Sequence, residues 1–450
     1  MKTDSNITAT PSAVLVTETS STGLAYPLMC EPPLINRAAM NRSIFIQLKY
    51  AKYCFTFLFC VFLYASASAQ LDIKFNKTIL TGADQLAQPI DGIYIKGNIA
   101  IVANQTSITR NKIHLVDTLL ARKISVIKIF TPEHGLRGTA DAGEKIANSI
   151  DKKTGLPVIS LYGNNKKPTA DQLKGIDQVI FDLQDVGARF YTYISTLHYV
   201  MEACAENNIP IMVLDRPNPN GFYVDGPVLD TSLKSFVGMH PVPIVHGMTM
   251  GEYAKMIKGE KWIKNADKLN LSVVPCVNYS HKDYYELPVP PSPNLTSMQA
   301  IYYYPTTCLF EGTALSVGRG TKHAFRNIGM PGFKTGSTYF TPNPAAGAKD
   351  PKYMGKKCRG IFISDSMVNA FLKKPALDTH LWIFMYKHAA DKRQFFIQKG
   401  SFDILAGDKM LKWDIIASAV SGEDITYRWQ TALADFKQKR KKYLLYPDYE

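Results

Sequence analysis

Four stretches of the chain concentrate residue types that could do acid–base or recognition chemistry. Thr131-Pro132-Glu133-His134-Gly135 sets a carboxyl beside an imidazole, with a glycine for a tight turn. A carboxyl partly shielded by apolar neighbours can have its pKa raised enough to act as an acid. Asp182 and Asp185 lie three apart around a second turn. Paired carboxylates can divide acid and base work, or position a water or a sugar hydroxyl. Arg189 follows, then Phe190, Tyr191 and Tyr193. Arginine offers a bidentate fork for a carboxylate, and aromatic rings suit the face of a sugar. Asp215-Arg216-Pro217-Asn218 is the third stretch, and Asn104-Gln105-Thr106 adds amides to the set. The fourth runs from Glu311-Gly312-Thr313 through Ser316-Val317-Gly318-Arg319-Gly320-Thr321-Lys322-His323. Its glycines let backbone approach a ligand closely, and Arg319 is a second carboxylate binder. Each stretch also has a plainer reading: a loop ion pair, a capped turn, or tyrosine packing at a helix start.

The elements that would carry these residues alternate in type. Apolar runs at 98–103, 124–130, 157–162, 178–182 and 209–214 read as buried strands. Helical patterns lie between them, at 113–123, 169–175 and 193–208. Strands separated by helices mean βαβ units, a parallel sheet and right-handed crossovers. In such a sheet ligands bind outside the carboxyl ends of the strands. Asn104, Glu133, Asp182 and Asp215 all follow a strand end, so one edge collects the chemistry. A helix over 249–258 and a strand over 271–275 complete this half. The proline-rich loop 288–293 is the expected boundary, giving domains at 70–297 and 298–450. The second is read as a smaller α+β domain, with strands at 360–364 and 402–405 and helices at 366–372 and 421–442.

Several classes are excluded or disfavoured. Apolar residues make up 46% of 450 and charged residues 20%, so the chain is not wholly disordered or fibrous. G-x-G-x-x-G does not follow the first strand, and neither a P-loop nor G-x-S-x-G occurs, so nucleotide cofactors and an α/β-hydrolase site are disfavoured. No cofactor is expected. Cys204, Cys276, Cys308 and Cys358 are widely spaced, with no Cys/His cluster, so no metal site is expected either. The net charge of +14 suits an anionic partner. Nucleic acid is disfavoured, because no basic stripe with interleaved aromatics occurs. Residues 1–69 read as a leader. Arg42, Lys49 and Lys52 precede an apolar core over 53–64 and an Ala-x-Ala site, with cleavage expected after Ala69 and Met40 as the expected true start. Export to the periplasm or beyond follows, with no stable membrane anchor after cleavage. The sequence leaves the oligomeric state open.

Longer motifs carry a resemblance. FTPEHGLRG (130–138), DQVIFDLQDVGARFYTYISTL (177–197), VLDRPNPNG (213–221), PSPN (291–294) and CLFEGTALSVGRGTKHAF (308–325) resemble the exo-β-N-acetylmuramidase (NamZ) family, in order and over most of 92–330. The resemblance implies a glycoside hydrolase that releases N-acetylmuramic acid from non-reducing ends of peptidoglycan fragments. It implies a Rossmann-like N-terminal domain, an auxiliary C-terminal domain and a cleft between them. In the family the glutamate of the PEHG motif is the favoured catalytic residue, here Glu133. The second catalytic role is left among Asp182, Asp185, Tyr191 and the 2-acetamido group of the substrate. Asn104, His134, Arg189, Tyr193, Arg216, Asn218, Glu311, Arg319 and His323 are the candidate substrate-binding set. Muramic acid carries a lactyl carboxylate, for which Arg189, Arg319 and His323 are the available cations. The competing readings are a glycosidase for another amino sugar, an amidase, and a non-catalytic wall-binding protein.

Overall fold

The computed structural model describes residues 78–87, 95–137, 148–397, 400–417 and 421–450. The leader read over 1–69 lies outside them. Seven strands form the main sheet: β1 (Ile99–Ala103), β2 (Val126–Thr131), β3 (Ser149–Ile150), β4 (Pro157–Ser160), β5 (Gln178–Asp182), β6 (Ile211–Leu214) and β7 (Leu271–Val274). Their order is β3-β4-β2-β1-β5-β6-β7. All neighbouring pairs are parallel except β3 with β4, an antiparallel edge. The order reverses between β1 and β5, where Ala103 and Asp182 are register partners at the carboxyl ends. This is the doubly wound arrangement, whose crevice opens at that reversal.

The strands are apolar on both faces because both faces are covered. Ala100, Val102, Val179, Phe181, Ile211 and Val213 belong to one buried cluster. Ile99, Ile101, Ala103, Ile180, Met212 and Leu214 belong to the other. The alternation along each strand is the period-two geometry of a sheet. Helix Leu115–Ala121 serves the second cluster, capped by His114, whose Nδ1 accepts from the Val116 amide. Ile113, expected on that helix, precedes the cap and is half exposed. Helices Tyr193–Glu206 and Met250–Gly259 serve the first.

The second half adds an antiparallel sheet of β8 (Asn327–Met330), β9 (Thr338–Phe340) and β10 (Cys358–Phe362), in order β8-β10-β9. Among the described residues this half also holds seven helices, at Met298–Thr307, Asp365–Lys373, Thr379–Lys387, Ser401–Ala406, Leu411–Ala417, Gly422–Tyr427 and Gln430–Lys441. Their apolar faces join the first cluster without a break, so both halves share one core. Two expectations fail here. Residues 402–405 form a helix, not a strand. Gly400 and Gly407 both sit at φ 67 and punctuate Ser401–Ala406 as its two caps. A four-residue apolar run does not distinguish the two states. The single helix expected over 421–442 breaks at Arg428–Trp429, where the buried Trp429 indole donates to Asp225 Oδ1 at 3.0 Å. Among the described residues, Cys204, Cys276, Cys308 and Cys358 are buried free thiols.

Candidate active site

Glu133 lies just past the last residue of β2, and Tyr162 just past β4. The loop after β5 turns at Gly187, whose φ of 78 and lack of a side chain let it sit against the Asn218 amide. It delivers Tyr191, Thr192 and Tyr193 to the same edge. These residues line a pocket of about 200 Å³, together with Phe190, Phe236, Ser292, Tyr304, Glu311, Arg319, Phe325 and Leu405. One wall therefore comes from the strand ends and the other from the second half of the chain.

Glu133 is half-buried, and the Thr192 hydroxyl donates to its Oε2 at 3.3 Å. His134 is buried at a left-handed φ of 73 and also faces the pocket. The proline loop is gripped mainly at one carbonyl: Pro291 accepts from Tyr191 Oη at 2.9 Å, Tyr193 Oη at 3.3 Å and Gln105 Nε2 at 3.0 Å, and Gln105 Nε2 also donates to the Pro290 carbonyl at 3.3 Å. Asn104 Nδ2 in turn donates to Tyr193 Oη at 2.7 Å. Burial pushes both tyrosine hydroxyls above their ordinary range, so they act as neutral donors. Tyr304 stands edge-on to Tyr191 and Phe325, with centroids 6.0 and 5.0 Å apart. The pocket is thus walled by aromatic rings and carries few charges.

Glu311 and Arg319 form the charged side. Arg319 Nε donates to Glu311 Oε1 at 2.7 Å and Nη2 to Oε2 at 3.3 Å. Burial opposes the guanidinium charge, but the Glu311 carboxylate outweighs it and raises the pKa.

The other candidates are placed elsewhere. Asp182 is wholly buried and gives both oxygens to Arg216, at 2.6 and 3.0 Å. Arg216 also donates to the Ile108 carbonyl and is equally enclosed. This pair fastens the carboxyl ends of β5 and β6 and does not line the pocket. Asp185 is buried, with Oδ2 accepting from the Gly187 amide at 2.7 Å, so it shapes the turn. Asn218 spends its side chain on the Asn220 amide and the Met248 carbonyl. Arg189 is 0% exposed and binds only main chain: the carbonyls of Pro227, Val242, Leu405 and Ala406. Burial lowers its pKa to about 10, so it stays charged at neutral pH. It is a strut between the halves, not a ligand-facing fork. His323 is exposed, set edge-on to Phe362, and does not reach the pocket. Glu133, His134, Tyr191, Tyr193, Glu311 and Arg319 are brought together; Asn104 supports them from behind.

Sequence reasoning missed Thr192, Tyr162, Tyr304 and Phe325. Tyr162 was within reach, since the strand-end rule applied to β4 points straight to it. Tyr304 sits on a helix that contains Pro305, which hides the helical signal.

Two family models match the chain: exo-β-N-acetylmuramidase NamZ, N-terminal, over residues 99–299, and exo-β-N-acetylmuramidase NamZ, C-terminal, over 302–446. The chain belongs to the NamZ family. The peptidoglycan β-N-acetylmuramidase NamZ of Bacillus subtilis (strain 168) is 39% identical over 407 residues, which are 85% of this chain and 95% of that protein. A crystal structure of a DUF1343 family protein from Bacteroides fragilis NCTC 9343 superposes with TM-score 0.75 at 43% identity, covering 82% of this chain and 99% of that one. A second from the same organism gives TM-score 0.65 at 27% identity with the same coverage. The NamZ motifs of this chain therefore map onto the pocket edge: PEHG holds Glu133, and the glycine-rich motif holds Arg319.

Proposed function

We propose that this chain is an exo-acting glycoside hydrolase that releases N-acetylmuramic acid from the non-reducing ends of peptidoglycan fragments in cell-wall turnover. NamZ membership with 39% identity to a peptidoglycan β-N-acetylmuramidase carries the reading. The pocket supports it. Its volume of about 200 Å³ falls below the ~300–1,000 Å³ of sites for drug-sized ligands and suits a single sugar residue. Aromatic walls offer flat apolar faces to the C–H side of a pyranose.

Glu133 is the proton donor to the leaving oxygen in this proposal, with Thr192 orienting its carboxyl. A glycosidase needs a second group, either nucleophile or base. Asp182 and Asp185 are withdrawn into the loop framework. Among the described residues, the other carboxylate that lines the pocket is Glu311, and Arg319 holds it by two hydrogen bonds. That arrangement favours the 2-acetamido oxygen of the substrate as the attacking group: it bonds to the anomeric carbon as the glycosidic bond breaks and Glu133 gives its proton to the departing oxygen. The leader expected from the sequence supports a reaction in the periplasm or beyond. The test is turnover of chromogenic β-N-acetylmuramide beside the matching β-N-acetylglucosaminide. Release from the muramide supports the proposal. Release from the glucosaminide alone overturns the substrate, and release from neither overturns the activity.

A further inference from the structure

The pocket carries a feature that catalysis by Glu133 does not use. Arg319 lines the pocket, and its side chain is 24% exposed. Two constraints fix its guanidinium. Glu311 takes Nε–H and one Nη2–H, and the Phe325 ring lies 4.9 Å beneath the guanidinium carbon. Guanidinium carries five N–H donors in one plane. Three remain, on Nη1 and Nη2, with no hydrogen bond to any described residue. They lie at the edge of the plane, in a site whose other walls are aromatic. A fork held in this way has already lost its rotamer freedom, so a planar anion that meets it costs less ordering.

The other cations of the candidate set are spent or absent. Arg189 is held by four carbonyls, Arg216 is paired with Asp182, and none of Arg189, Arg216 and His323 lines the pocket. Among the described residues, Arg319 is the one arginine that lines the pocket.

We infer that Arg319, clamped by Glu311 and seated on Phe325, binds the lactyl carboxylate of the muramyl sugar and sets the preference for muramyl over glucosaminyl substrates. Glu311 is then a positioning residue that works through Arg319. This deepens the proposed function and rests on it.

The test uses the full chain and its product site. Competitive inhibition by N-acetylmuramic acid is compared with inhibition by its methyl ester, which is nearly the same size and lacks the charge. A hydrogen bond to a charged group contributes about 10- to 100-fold in affinity. The wild-type protein should prefer the acid by a factor of that order. Arg319→Gln should bring the acid-to-ester ratio close to one, with little change in affinity for the ester. Arg319→Lys keeps the charge without the fork and should retain part of the ratio; it also serves if Arg319→Gln leaves Glu311 unpaired and the protein unfolds. Glu311→Gln should lower the ratio less than Arg319→Gln does. A ratio near one in the wild type overturns the inference, and so does a wild-type ratio preserved in Arg319→Gln, or preserved in full in Arg319→Lys where Arg319→Gln does not fold. Failure of the broader reading looks different: the wild type would then release nothing from the muramide.

Discussion

Replacing Asp182 by asparagine separates structure from chemistry. Asp182 is wholly enclosed, and its two oxygens meet Arg216 Nε and Nη2 at 2.6 and 3.0 Å. Two ions out of water are held by mutual attraction and by the Ile108 carbonyl on the arginine. Removing one partner leaves the other charge buried and uncompensated, which costs ~3–5 kcal/mol. Asparagine keeps the shape and one acceptor, so Asp182→Asn should fall at the lower end, ~3 kcal/mol. That is a large share of the ~5–15 kcal/mol by which domains are stable. Asp182→Asn/Arg216→Met removes the stranded charge and should recover much of the loss, since apolar replacements of buried pairs are often near neutral. Urea denaturation gives the stabilities, and turnover of the chromogenic muramide is measured at a temperature where every variant is folded. Folded Asp182→Asn should keep kcat within a few-fold of wild type. A fall of a hundredfold or more with unchanged stability would refute the structural assignment and return Asp182 to the chemistry.

Arg189→Met keeps the stem but strips the Pro227, Leu405 and Ala406 carbonyls of their donor, while the Val242 carbonyl keeps the Leu229 amide, and each buried unsatisfied group costs ~1–3 kcal/mol. Thermal denaturation should show a large loss, while the folded fraction keeps its muramide-over-glucosaminide preference; loss of that preference would make Arg189 a ligand group after all. His198 is a buried neutral imidazole bonded to His240 at 2.9 Å, and burial lowers its pKa to about 4. The unfolded chain takes up that proton near pH 6.5, so this site favours unfolding increasingly as pH falls from 6.5 towards 4, by up to ~3 kcal/mol. Asp215, whose burial raises its pKa to about 6, works in the opposite direction as pH falls. The check is therefore the difference in stability between wild type and His198→Gln across this window; a difference that does not change with pH would contradict the assignment.

The parallel sheet was legible because its strands are apolar on both faces and short enough to be distinct. β5 was read to the residue. Helix Thr379–Lys387 was not, since Leu381, Trp382, Ile383 and Met385 are buried around most of its girth and leave no amphipathic stripe. At the site, the strand-end rule found Glu133, Tyr191 and Tyr193. It also selected Asp182, Asp185 and Arg216, because charged residues at strand ends look the same in sequence whether they face a ligand or lock a loop. Arg189 shows why composition alone misleads here. Its ligands are backbone carbonyls from 227, 242, 405 and 406, contributed by segments far away in the chain, and no spacing encodes them. Arg319 was read as a carboxylate binder, but its clamp and its aromatic seat depend on the fold of a glycine-rich loop.

In the proposed reaction Glu133 donates the proton to the leaving oxygen. The direct test is kcat/KM of Glu133→Gln on a muramyl saccharide with a sugar leaving group, beside the nitrophenyl muramide, which departs with less need of a proton. Positioned acids contribute ~10²–10⁴-fold. With Glu133 as the acid, a loss of that size is expected on the saccharide, a smaller loss on the nitrophenyl substrate, and an unchanged melting temperature. A variant that cleaves the saccharide within a few-fold of wild type would contradict that role.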